Sequence, residues 1–158
     1  INCWGKKMLY RNQELSAILT ATVLIAFFTT SSGALQSSDG YRARLSPMPT
    51  TPQTASTITG GGEVRINLEG TTLTASGTFS GMSSDAISAH IHYGLPAQPG
   101  PVVHQLDFSA MTHGELSATI KLSQDQIAAL KSASLYIQIH SKTNPAGELR
   151  GWIFRDEK

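Results

Sequence analysis

Apolar and polar residues alternate with period two along most of the chain after residue 40. Tyr41-Arg42-Ala43-Arg44-Leu45 alternates, as do Glu63-Val64-Arg65-Ile66-Asn67-Leu68 and the run from Thr72 to Phe79. Successive side chains of a strand point to opposite faces, so each run offers one face to a core and one to solvent. Glu69-Gly70 reads as the turn of a hairpin joining the second and third runs. Pro47, Pro49 and Pro52 exclude helix and central strand, so the segment after an edge strand at Tyr41–Leu45 is expected to run extended over the surface. Gly60-Gly61-Gly62 is a turn, and residues 81–85 are a loop.

The pattern continues to the C-terminus. Ala86 to Tyr93 is a strand, residues 94–101 are a loop rich in Pro and Gly, and Val102–Phe108 and Glu115–Leu122 are strands. Ser123, followed three residues later by Gln126, has the spacing of a capping box and predicts one short helix through Ile127, Leu130 and Lys131. Leu135–His140 is a strand, Lys142–Gly147 a turn, and Glu148–Phe154 a last strand. About eight short strands and one helix predict an all-β, antiparallel sandwich or barrel.

Composition agrees. Hydrophobic residues make up 40% and charged residues 15% of the 158. The net charge of +1 gives no basic field for nucleic acid. The one cysteine, Cys3, rules out an internal disulfide and a cysteine-based metal site. Residues 1–34 have the order of an export signal. Lys6, Lys7 and Arg11 precede an apolar stretch from Leu15 to Phe28, and Ser32-x-Ala34 offers small residues for cleavage. The expected product begins at Leu35, with residues 35–40 a flexible lead-in and the domain over 41–158. It would be secreted or periplasmic, and membrane-bound only if the leader is retained.

The chemistry lies on two of the runs. In Ala86-Ile87-Ser88-Ala89-His90-Ile91-His92-Tyr93, the residues Ile87, Ala89, Ile91 and Tyr93 share one face, and Ser88, His90 and His92 the other. In Leu135-Tyr136-Ile137-Gln138-Ile139-His140, the residues Leu135, Ile137 and Ile139 oppose Tyr136, Gln138 and His140. If the two strands are neighbours in register, three imidazoles converge. Residues two apart on a strand are about 6.6 Å apart and neighbouring strands about 4.8 Å, so rings leaning together can share an ion. Neutral imidazole suits copper, zinc, nickel and iron, with copper(II) first in affinity and zinc the alternative. The bland alternative is that His90 and His92 only make hydrogen bonds within the sheet.

His104 falls in phase with Leu106 and Phe108, which points to a structural or edge role. His113 sits in an exposed turn. Glu148 and Arg150 share a face and read either as a cross-strand ion pair or as hydrogen-bond partners of the imidazoles. Tyr93 and Tyr136 read as packing or rim residues. No Gly-x-Ser-x-Gly elbow, paired carboxylates or phosphate-binding glycine loop is present, so nothing specifies catalysis.

The pieces Ala89-His90-Ile91-His92-Tyr93-Gly94, Gly100-Pro101-Val102-Val103, Leu135-Tyr136-Ile137-Gln138-Ile139-His140-Ser141 and Asn144-Pro145-Ala146-Gly147-Glu148-Leu149-Arg150-Gly151 together resemble the CHRD family, over roughly Tyr41 to Phe154. Gln98-Pro99 departs from the family's more usual Asn-Gly. The resemblance implies a β-sandwich and an exported location. A looser likeness is to copper/zinc superoxide dismutase, a Greek-key sandwich that also carries a His-x-His strand. Three function classes follow: a metal-binding or buffering protein holding copper on His90, His92 and His140; a metal-free adhesion or protein-interaction module; and a superoxide-processing or other redox enzyme. The partners expected are a metal ion and another extracellular protein.

Overall fold

The computed structural model describes residues 39–48 and 51–156. The expected leader lies outside the described residues. The nine strands among them are β1 (Asp39–Pro47), β2 (Gly61–Glu69), β3 (Thr72–Ser80), β4 (Ala86–Tyr93), β5 (Val102–Gln105), β6 (Asp107–Phe108), β7 (Gly114–Lys121), β8 (Leu135–Ser141) and β9 (Leu149–Arg155). The one helix among the described residues, α1 (Gln124–Lys131), precedes β8. The strands form one sheet in the order β5-β4-β8-β9-β1-β2-β3-β7-β6, with every pairing antiparallel. This is the all-β fold that the alternation predicts.

The sheet is almost closed by one stretch of chain. Residues 102–108, expected as one strand, break at Leu106. The first half pairs with β4 and the second with β7, and the Leu106 N–H donates to the Ala89 carbonyl at 2.9 Å. The two edges of the sheet are thus consecutive segments of the chain, and Leu106 turns inward between them. The interior is filled by the inward positions of every long strand, among them Ala43, Val64, Leu73, Ile91, Ile137, Ile139, Leu149 and Ile153. Burying a Val, Leu or Ile side chain contributes about 1.5–3 kcal/mol, so this set is the main source of stability.

Three local expectations are corrected. β1 starts two residues early, at Asp39, and is not an edge: it lies between β9 and β2. Tyr41, Ala43 and Leu45 face the core, and the alternating arginines that suggest an edge stand on the outer face instead, where Arg42 reaches Asp156 at 4.0 Å. From Thr51, where it is described again, the proline-rich segment does not run extended. Thr51 and Thr54 cap each other's backbone, a tight turn follows with Ile58 N donating to Thr54 O at 3.0 Å, and Ile58 is buried. On β4, Ile87 and Tyr93 leave the apolar face, being 46% and 51% exposed. An irregularity between Ala86 and Ser88 shifts the register there, so Ala86 is buried in place of Ile87.

The hairpin and the helix form as expected. Gly70 takes a φ of 61°, which the tight β2–β3 turn requires. Ser123 Oγ accepts the Gln126 N–H at 3.2 Å, and Gln126 Oε1 accepts the Ser123 N–H at 3.0 Å. The helix buries Ile127, Ala129 and Leu130.

Candidate metal centre

β4, β8 and β9 are adjacent, and their outward faces carry the candidate residues. Register sets them in rows: His92 opposite Tyr136 opposite Trp152, then His90 opposite Gln138 opposite Arg150, with His140 opposite Ser88. His140 is therefore diagonal to His90, one row further along. The inward positions between them, Ala89, Ile91, Ile137 and Ile139, are buried in the core and hold the two strands in this register.

The three imidazoles converge as the alternation predicts. The ring centroids of His90 and His140 are 5.2 Å apart, those of His90 and His92 5.8 Å, and those of His92 and His140 6.0 Å. Their candidate ligand atoms all lie within 4.8 Å of one another. His92 is 7% exposed, while His90 and His140 are half-buried at the rim.

Two of the rings are fixed through their far nitrogens. His92 Nδ1 lies 3.0 Å from the Gly100 carbonyl, and His140 Nδ1 lies 2.9 Å from the Pro145 carbonyl. A carbonyl only accepts, so both Nδ1 atoms carry the hydrogen, and in the neutral ring Nε2 keeps its lone pair. Those two Nε2 atoms and His90 Nδ1 are buried and have no hydrogen-bond partner among the described residues. Buried polar atoms are nearly always satisfied, so three orphaned nitrogens in one cluster are unusual. They fit a shared cation, which supplies the partner that each lone pair lacks. Donation from the far nitrogen to a carbonyl orients a ligand ring and raises its basicity.

The electrostatics favour neutral rings. Burial lowers the pKa of His90 below 6.5, and the neighbouring His140 and His92 lower it further. Burial also lowers that of His92; the hydrogen bond to Gly100 opposes this, and His140 and Arg150 reinforce it. No Asp or Glu belongs to the group of potential ligands.

Sequence reasoning missed the groups that position the rings. Tyr136 stacks on His92 at 4.8 Å with the planes 9° apart, and its hydroxyl accepts the Gly100 N–H at 3.1 Å. Gly100 therefore links the same tyrosine to the same histidine. A Cβ on Gly100 would collide with the Tyr93 carbonyl, so the close approach needs glycine. Gln138 donates to the Ala146 carbonyl at 2.7 Å, next to the Pro145 carbonyl that holds His140, and a Cβ on Gly147 would collide with the Gln138 amide. Gly100 and Gly147 were the visible signals, but their targets are distant in sequence. Trp152 Nε1 donates to the Gly94 carbonyl at 3.0 Å and pins the start of the same 94–101 loop.

Glu148 and Arg150 do not form the expected pair. Glu148 precedes β9, is fully buried, and accepts from Ser83 N at 2.6 Å, Ser83 Oγ at 3.0 Å and Asn144 Nδ2 at 3.2 Å. It ties loops together and touches no imidazole. Arg150 Nε donates to Gln138 Oε1 at 3.0 Å, and its guanidinium lies 4.9 Å from the Tyr136 centroid. His104 pairs opposite Ile91 on β5 and stays outside the cluster. His113 is exposed beside Thr112.

No curated protein matches the chain. The family model of the CHRD domain matches residues 41–153, from β1 into β9, and so spans the strands that carry all three histidines. The chain belongs to the CHRD-domain family.

Proposed function

We propose that this protein is exported and binds one transition-metal ion through His90 Nδ1, His92 Nε2 and His140 Nε2, acting in metal binding or buffering outside the cytoplasm. The observation that carries the reading is the set of three buried, partnerless ring nitrogens in one cluster. Three neutral nitrogen donors on one side of an ion leave further positions open to solvent or to an incoming group. For nitrogen ligands the affinity order of divalent ions puts copper(II) above zinc(II), so copper is the proposed ion. The order of residues 1–34, read as an export signal, supports a location where such an ion is met.

The test is the metal content and start of the exported protein. Material from the extracytoplasmic fraction is expected to begin near Leu35 by intact mass and to take up one copper(II) per chain on titration at pH 7.5. A variant with His90, His92 and His140 all changed to Ala is expected to lose this binding, and His113→Ala to keep it. Parental affinity in the triple variant would overturn the site and favour the metal-free interaction module.

A further inference from the structure

The three ligands are not equivalent. His92 is held at its far nitrogen by Gly100, on its face by Tyr136 and by near-complete burial. His140 is held at its far nitrogen by Pro145. His90 makes no side-chain hydrogen bond among the described residues, and His92 and His140 meet its ring edge-on, with planes 81° and 67° apart. Its buried, partnerless nitrogen is Nδ1, where theirs is Nε2. No hydrogen bond among the described residues therefore fixes its ring orientation.

The spacing gives that freedom a use. Two nitrogens on opposite sides of one ion, at about 2.0–2.1 Å each, span about 4.1 Å. The ligand atoms here lie within 4.8 Å of one another, a limit wider than that span, so a pair near it closes by several tenths of an ångström to share an ion. The ring able to move without breaking a hydrogen bond is His90. Like His140 it is only half-buried, so a solvent-borne donor can approach the side of the cluster where it stands.

We infer that His92 and His140 form a preset two-nitrogen clamp and that His90 is the exchange ligand, closing on the ion when it loads and giving way to an incoming neutral nitrogen donor when it leaves. This rests on the metal-binding reading above and adds a direction to it: the site is built for passing its ion on, with the acceptor's donor taking the place of His90. No bond other than the metal–nitrogen bonds forms or breaks, and no electron is transferred. The protein's contribution is the asymmetry between two anchored rings and one free ring.

The experiment is copper(II) titration, with and without free imidazole, of the purified protein and of His90→Ala, His92→Ala and His140→Ala, each checked for its fold by circular dichroism. His90→Ala is expected to bind copper(II) more weakly than the parent, with added imidazole restoring at least about tenfold in affinity by filling the open position, about 1.4 kcal/mol. His92→Ala is expected to lose more and to resist rescue, because its place lies behind Tyr136 and the 94–101 loop. His140→Ala is expected to lose more than His90→Ala, because an anchored ligand is removed. Release of copper to an added chelator is expected to be faster in His90→Ala than in the parent. Equal losses and equal rescue in all three variants would overturn the exchange ligand while leaving the site intact. Unchanged binding in all three would instead overturn the metal-binding reading itself. Should His92→Ala fail to fold, Tyr136→Phe replaces it. That variant keeps the stacked ring and removes the hydroxyl that holds Gly100, and it is expected to weaken binding without rescue by imidazole. Rescue of Tyr136→Phe as complete as that of His90→Ala would overturn the proposal.

Discussion

Glu148 joins loops through hydrogen bonds to its side chain. Its carboxylate is buried with no cation against it among the described residues, and it is stabilised by Asn144, four residues before it, and by donors from loops distant in sequence, Ser83 and the Thr59 N–H at 3.3 Å. Burial acts to raise its pKa, but hydrogen bonds from Ser141, Ser83, Asn144 and Thr59 together outweigh it and hold the group below 4.5. The folded state therefore binds fewer protons than the unfolded state just below that value. The contribution is fully present above the unfolded pKa and is lost as pH falls through the depressed folded pKa. Glu148→Ala is expected to destabilise the fold by about 3–5 kcal/mol, because several buried donors lose their acceptor at about 1–3 kcal/mol each. Glu148→Gln keeps the shape and is expected to flatten the acid limb of stability. Urea unfolding of the parent and both variants at pH 7 and at pH 3.5 measures this. An acid limb in Glu148→Gln as steep as in the parent would assign it to other carboxylates.

At the scale of elements, α1 is the part most nearly specified by its own residues. It has only eight residues, too few to be stable alone, so its cap and its packed face decide whether it forms. Ser123→Ala removes the acceptor for the Gln126 N–H and is expected to cost about 1 kcal/mol by urea unfolding. Copper affinity should not change, because none of the capping bonds reaches the histidines. The same local logic made most of the strands legible, and it placed His90, His92 and His140 on outward faces. It failed where a neighbour overrides the pattern. The shift at Ile87 comes from pairing with β8, the break at Leu106 from a segment serving two sheet edges, and the interior place of β1 from a strand order that no local run encodes. The carbonyls that orient His92 and His140 were invisible for a related reason: every residue carries one, and only the folded loops show which one a ring meets.

For the whole molecule, the proposed metal binding is linked to protons and to folding. Burial, with the charge of neighbouring rings, lowers the pKa of His90 and His92 from 6.5, so the unfolded chain binds more protons than the folded one below that pH. The part of the apo protein's stability due to these rings is full above about 6.5 and falls as pH drops through the lowered folded values. An ion held by neutral rings competes with the same protons, and its binding fails over the same acid range. On the proposed reading the ion binds only the folded chain, so free copper(II) at 100 times Kd is expected to stabilise it by about 2.7 kcal/mol at pH 7.5. For a domain of this size that raises Tm by about 10 °C. At pH 5 the shift is expected to shrink sharply, and the triple-alanine variant is expected to show none at either pH. Thermal scans with copper(II), and with zinc(II) for comparison, measure both. Zinc is expected to give the smaller shift at equal concentration, in line with the affinity order for nitrogen ligands. A shift as large at pH 5 as at pH 7.5 would mean that the ion is held by groups that do not titrate there, and the three histidines would then not be its ligands.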